Sequence, residues 1–410
     1  MTGGLSDMSA PGVRITLLPD EGASMGEPLD LAGRLTSFSF EESEGAAARV
    51  TLELDNRDLA LFDDGRLIPG AILEVSWGYP GKMAVPRRVV VRRLSGFTSL
   101  RVEGDAVSVL MDGVARTRAW HGVTRSAVVK EVAAENGYTG AAADIQDTEV
   151  VFDTVSQASE TDARFLSRLA GLEGFAFSVD ADGLHFGERK ADAAPARILH
   201  WRGGEDSGVV MEVRLETAFE TVAGKETVSG RDPMRKETFM AEVKGSTSNR
   251  TTLAEVTEVV DPESGTTRLL SRTATSAAAP TPASTVHEAK RQAEARFRKA
   301  ERGAVRLSIT TVGSPDMKAG EVLEVRGISR LLSGKYFVSG AVHTIDGSGY
   351  VCRLTLESDG TGRTGAGSEQ SGVRNRQEAR ETEAKAAPAA LTEREVVDPE
   401  TGATRIEWRR

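Results

Sequence analysis

The chain of 410 residues holds one cysteine, Cys352, so it can form no internal disulfide. The thiol sits in the alternating run VCRLTL and reads as a small strand residue; a nucleophile would need an adjacent base and a lowered pKa. Aromatics are only 5% of the chain, with four Trp and four Tyr. Cores must therefore be built from Val, Leu, Ala and Ile, and sugar stacking has thin support. No apolar run reaches the roughly eighteen residues of a membrane span. The opening MTGGLSDMSAPG lacks the basic and apolar regions of a signal peptide, which predicts a product that starts in the cytoplasm. Positive charge is also short: 51 Lys and Arg against 61 Asp and Glu leave a net charge of −10. That balance argues against a general nucleic-acid binder, which carries a basic face.

Catalytic signatures are missing as well. His121, His185, His200, His287 and His343 are scattered and match no metal-ligand spacing. G-x-S-x-G, HExxH and the P-loop are absent. Glu41-Glu42 and Asp63-Asp64 are adjacent carboxylates in turns; they cannot face one substrate as an acid/base pair does, and they read as solvated. Asp180 and Asp182 are similar to the start of a calcium loop, but the remaining oxygen ligands are not there, so they read as a plain turn. No catalytic residue, cofactor or metal is predicted.

What the chain does have is strands. Glycine is three times as common as proline, 42 against 14, which suits short strands joined by turns. After a flexible N-terminus over 1–12, residues 13–113 give VRITLL, GRLTSFSF, ARVTLELD, AILEVSWG, RRVVVRRL and SLRVEGDAVSVL, a small barrel or sandwich. Residues 114–193 form an α+β insert. Its first helix starts at Thr124 or Ser126, buries Val128, Val129 and Val132, and stops at Gly137. Its second lies in ETDARFLSRLAGLEG, with Ser159 and Asp162 as a weak capping box, a Phe165, Leu166, Leu169, Leu172 stripe and Gly174 at the left-handed end. A hairpin follows, with Phe175, Phe177, Val179, Leu184 and Phe186 on one side and His185 on the other.

Residues 194–358 predict a second barrel, interrupted by an exposed loop at about 245–283 and a helix at about 285–302. Thr285 and Glu288 make a capping box for that helix, and Val286, Ala289, Ala293, Phe297 and Ala300 line one face. Arg291, Arg296, Arg298, Lys299 and Arg302 read as a solvated basic face. Residues 359–410 predict a flexible tail ending in a hairpin at about 395–409.

Two internal similarities stand out. GAILEVSWG from Gly70 resembles GEVLEVRG from Gly320, one in each β region, which suggests two related barrels. EVVDPESGTTR at 258–268 resembles EVVDPETGATR at 395–405; each reads as a β-hairpin with a type I turn at Asp-Pro and a bulge at the glycine. In the second copy Val396, Val397, Ile406 and Trp408 supply an apolar side and are the predicted partner-binding residues. The tether of about 30 residues before it reaches about 30 Å as coil, enough to bring the hairpin to a neighbouring subunit or a spike.

Three stretches, taken in order, resemble the late control protein D family of contractile phage tails and the N-terminal hub region of VgrG spikes. They are the helix-hairpin unit, NRDLALFDDGRLIPGAILEVSWGY, and the run from AEARFRKAERG to GKYFVSGAVHTID. The resemblance covers most of residues 13–358. It implies a mainly β fold in which two similar small barrels bracket the α+β insert. It also implies a homotrimeric baseplate hub that adapts a sixfold tail tube to a threefold spike. The chain ends without a fused spike, so the spike would be a separate trimeric protein, alongside other baseplate proteins. The expected location is the baseplate of a virion or injection particle, assembled in the bacterial cytoplasm. A tail-associated cell-wall hydrolase or a glycan-binding module is the alternative, and turnover of peptidoglycan or capture on sacculi separates them.

Overall fold

The computed structural model describes residues 10–20, 23, 25–191, 193–201, 208–216, 223–231, 238–244, 257–260, 267–270, 274–275, 279–280, 286–302, 305–329, 332–358, 392–397 and 404–409. Period-two patterning in the first hundred residues becomes strands β1 (Gly12–Leu18), β2 (Glu27–Leu29), β3 (Leu35–Ser43), β4 (Ala46–Asp55), β5 (Ile72–Tyr79), β6 (Lys82–Met83), β7 (Arg87–Gly96) and β8 (Ser99–Ala106), with a short helix α1 (Ala60–Asp64) after β4. They run in the spatial order β2-β1-β5-β7-β8-β4-β3, and β6 pairs with β5. Phe38, Phe40, Val50, Leu52, Leu54, Leu73, Val75, Leu100 and Val102 are each 1% exposed or less and belong to one core.

The insert contains β9 (Arg116–Thr124), α2 (Arg125–Glu135), β10 (Ala143–Ile145), β11 (Val151–Glu160), α3 (Asp162–Glu173), β12 (Ala176–Val179) and β13 (Leu184–Gly187). β9 and β11 form a ribbon, and the second sheet runs β10-β13-β12. Thr124 caps α2 by accepting from the Ala127 N–H. The cap of α3 is Thr161, which accepts from the Arg164 N–H, and not Ser159. Ser159 lies at a break in the β9–β11 register with φ of 50°, so it serves the bulge instead. Gly174 ends α3 with φ of 74°, and a Cβ there would also stand 2.8 Å from the Cβ of Ala295. Phe165, Leu166 and Leu169 pack with Val128, Val129, Leu184 and Phe186, and Trp120 stacks on Phe165 with centroids 5.4 Å apart.

The C-terminal half holds β14 (Arg197–Trp201), β15 (Gly208–Glu216), β16 (Ala223–Arg231), β17 (Thr238–Lys244), β18 (Thr257–Val260), β19 (Thr267–Leu270), β20 (Ala274–Thr275), β21 (Ala279–Pro280), α4 (Val286–Arg302), β22 (Val305–Val312), β23 (Val322–Arg326), β24 (Gly334–Asp346) and β25 (Gly349–Ser358). Six of these close into a barrel: β14-β15-β22-β25-β24-β23 and back to β14. The segment between β15 and β22 leaves it. β16, β17, β20 and β21 form a separate sheet, and Ala289 and Ala293 of α4 pack on it against Val228 and Ala241. Among its described residues the interval 245–283, expected as an exposed loop, contains four short strands; β18 and β19 pair as a ribbon. The Thr285 capping position lies outside the described residues. Last come β26 (Thr392–Val397) and β27 (Thr404–Arg409), also a ribbon.

The two large β units share a strand succession. β1-β5-β7-β8-β4-β3 and β14-β23-β24-β25-β22-β15 use their strands in the same chain order, although β1 runs antiparallel to β5 and β14 runs parallel to β23. The two glycine runs also match in geometry. Gly70 and Gly320 have φ of 92° and 88°. Their N–H groups donate to Val91 and Val338 carbonyls, and those valines donate back to Ala71 and Glu321. The units differ in closure. β14 pairs with β15, but β1 does not pair with β3, so the first unit is an open sheet and not the closed barrel expected. The reason is β24, a strand of 13 residues. Its second half, Gly340–Asp346, runs beyond its pairing with β23 and occupies the β3 edge, from Ser43 to Ser37.

The β24–β25 hairpin thereby carries Ile345 and Tyr350 into the first core. There the Trp77 indole N–H donates to the Tyr350 hydroxyl at 3.1 Å, and the hydroxyl donates to Nδ1 of His343 at 2.7 Å. Burial pushes His343 down to about 4, with Arg87's charge adding to the effect, so its ring is neutral and can accept.

Two outcomes follow from this packing. Phe165→Ala should cost about 3–5 kcal/mol as a buried aromatic truncation, read from denaturant midpoints. His343 has a folded value of about 4 against 6.5 for the free side chain, so unfolded chains take up the proton first. Its contribution is complete above pH 6.5 and drains away as the pH falls towards 4. Over that window the wild type should lose about 3 kcal/mol more than His343→Leu; parallel stability curves would refute a neutral, buried ring.

Candidate functional site

The site with most chemistry is the junction of the first sheet, the insert and the barrel. Arg189, just past β13, is its clamp. Its guanidinium lies 2.9 Å from Glu44 on the β3–β4 turn and 2.9 Å from Glu357 on β25. It also sits 3.6 Å above the Phe337 ring, and its side chain is 3% exposed. Glu42 of β3 accepts the Ala319 N–H at 2.7 Å and approaches Arg87 at 3.5 Å. The Glu42 carboxylate, expected to be solvated, is 11% exposed, and burial raises its pKa. It is buried because β24 brings the 318–321 turn over the β3 edge.

The hairpin of the insert joins the same junction. Asp180 accepts from the Asp182 and Gly183 N–H groups and from His185 Nε2 at 3.0 Å. Burial works against ionisation of Asp180, but these hydrogen bonds hold its pKa at about 2. The bond from Asp180 raises His185 in turn. Lys318 reaches Asp182 at 3.0 Å across the boundary. Together these groups rim a cleft of about 1180 Å³. Behind it, Glu173 of α3 is 1% exposed, 2.7 Å from Arg125 and bonded to Arg291. Arg291 and Arg298, which pairs with Glu188 at 3.4 Å, therefore tie α4 to the insert and are not simply a solvated face. Nothing in local sequence marks Arg189, Glu42 or Arg291 as partners: they are far apart in the chain and their patterns are those of surface charge.

The remaining histidines lie on separate elements. His121 bonds Thr154, His200 lies on β14, and the His287 side chain lies outside the described residues. Cys352 is fully buried beside His343 in the β24–β25 register, and burial raises its pKa, so the thiol stays protonated. Among the described residues no three His, Cys, Asp or Glu side chains group as metal ligands. None of the described helices is long and apolar enough to cross a membrane. The predicted partner-binding residues lie on the last ribbon, whose side chains are outside the described residues. Its register pairs Val397 with Thr404, Glu395 with Ile406 and Glu393 with Trp408. Val397, Ile406 and Trp408 thus share one face, and Val396 stands on the other. The turn residues 261–266 and 398–403 lie outside the described residues.

Ion pairs thus brace the two β units around the insert. The phage tail baseplate hub (GPD) model matches residues 95–349, and the chain belongs to that family. It is a baseplate hub protein of a contractile phage tail. It is similar to the probable baseplate hub protein of Escherichia phage 186, with 25% identity over 363 residues covering 80% of this chain and 89% of that protein. Its fold resembles the tail protein of Neisseria meningitidis MC58, with a TM-score of 0.61 at 14% identity, covering 86% of this chain and 97% of that one. It also resembles the E. coli c3393 protein, a type VI secretion component similar in structure to the T4 tail proteins gp27 and gp5. That match has a TM-score of 0.50 at 11% identity and covers 86% of this chain and 79% of that one.

Removing the clamp should separate the units before it unfolds them. Arg189→Ala leaves Glu44 and Glu357 without their shared buried cation and should cost about 3–5 kcal/mol. The expected signature is new protease cleavage at 188–196 below the main melting transition; an unchanged melt and digest would show that the clamp is dispensable.

Proposed function

We propose that three copies of this chain form a ring that joins the sixfold tail tube to a separate threefold spike. The observation that carries this is the shared strand order of the two β units, reinforced by the matched turns at Gly70 and Gly320. On this reading the open first sheet and the closed barrel are two versions of one strand order. Three chains with two like units each present six similar surfaces on one side while staying threefold on the other. The chain's role is architectural, without turnover of its own. The particle is a virion or injection-particle baseplate assembled in the bacterial cytoplasm, with other baseplate proteins around the ring. Val396, Val397, Ile406 and Trp408 serve as a partner-binding hook on the last ribbon.

An obligate assembly of this kind buries more than about 2,000 Å² per interface. Light scattering at micromolar concentration should give the mass of three chains, alone or with the spike. A monomer under both conditions sinks the ring.

A further inference from the structure

We propose that the free edge of β12 is the acceptor for the C-terminal ribbon of a neighbouring copy, which adds to the small sheet as a further strand. The proposal rests on the assembly proposed above.

β12 is the outer strand of the order β10-β13-β12. The Asp180 N–H donates to the Gly183 carbonyl, and the paired residues Ser178–His185 and Ala176–Gly187 continue that hydrogen-bonded alternation. Phe177 and Val179 therefore direct their N–H and C=O groups away from β13. They face a groove of about 380 Å³ that is also lined by Arg164 and Ser167 of α3, Gly45 of the β3–β4 turn and Ala46 at the start of β4. Ala46, Ser178 and Val179 also line the junction cleft, so the two spaces adjoin. All four β12 residues are half-buried: the strand is sheltered but not covered. An unpaired edge of this kind is a template for strand addition, and the small residues of the groove leave room for a backbone.

The C-terminal ribbon has the properties of the occupant. Among the described residues β26 and β27 pair with no other strand, and a lone two-stranded ribbon is marginal in water. The exposed Arg164 suits an acidic strand, and Glu393 and Glu395 share the ribbon face that holds Val397, Ile406 and Trp408. The barrel's last strand ends at Ser358, one residue past Glu357, which Arg189 holds at the cleft. The chain has 33 residues between Ser358 and Thr392, and a coil of that length would have an r.m.s. reach of about 30 Å. A reach of that size extends to the groove of a neighbouring copy, and tethered binding is strongest when reach and gap match.

Amide hydrogen exchange on the assembled full chain tests this. The Phe177 and Val179 amides should exchange at least about tenfold more slowly than in a chain lacking residues 391–410. Isotopically labelled ribbon-deleted chain, co-assembled with unlabelled full chain, should regain the protection, because only a neighbour's ribbon can supply it. Equal exchange in full and deleted chains overturns the proposal. So does protection that survives the deletion, which the similar β18–β19 ribbon would cause, and so does protection in the full chain that the labelled deleted chain never regains, which would place the ribbon on its own edge. Light scattering on the same samples reports the trimer separately, so loss of assembly is not mistaken for loss of docking.

Discussion

The structure depends on one hairpin having to complete two cores. β24 and β25 are barrel staves over part of their length. Further along, β24 pairs with β3, and the hairpin carries Ile345 and Tyr350 among Phe38, Phe40 and Trp77. Removing the hairpin would strip a fully buried face from both units at once. The Trp77–Tyr350–His343 chain fixes its register, because a shift of one residue would point the hydroxyl away from both partners. A buried polar chain costs free energy unless every member is satisfied, so it specifies one arrangement of the units more than it adds stability.

The ion pairs at the junction act on what this hairpin has placed. Arg189 is at once in reach of Glu44 and Glu357 because β25 and the β3–β4 turn are held together by the shared strand. The insert then hangs from Arg189, Lys318 and the Glu173–Arg291 contact. A scaffold of this kind fixes the edge of a small sheet beside a cleft without using that edge for its own packing. Hub function needs such rigidity: a baseplate protein transmits position between neighbours, and a body that flexed at its centre would lose it.

Local features were legible in the sequence because local physics sets them. The stripe Phe165, Leu166, Leu169 and the stop at Gly174 belong to α3 as written, and the closing repeat forms a ribbon. The repeat at 258–268 adopts the same register: Val260 pairs with Thr267 as Val397 pairs with Thr404. Thr161 displaced Ser159 as the cap because a bulge claimed the serine, a demand set by β9 that no helix pattern reveals. The open first sheet was illegible for a related reason. The thirteen residues of β24 look like one ordinary strand, and nothing in their alternation says that half of them serve a sheet made three hundred residues earlier. Arg189, Glu42 and Arg291 looked like surface charge because their partners come from other units.

The Trp77–Tyr350 contact joins residues 273 positions apart. At about 5–20 residues per second, a ribosome that has made Trp77 takes roughly 14–55 s to reach Tyr350. Throughout that interval the β3 edge is unpaired and Trp77 lacks its cover. The nascent first unit is therefore a half-finished sheet with an open, apolar side, and it cannot be completed by its own residues. Synthesis of this hub has a built-in waiting period, in which chaperone cover or low chain density decides the yield, and the protein becomes whole only when nearly all of it has been made.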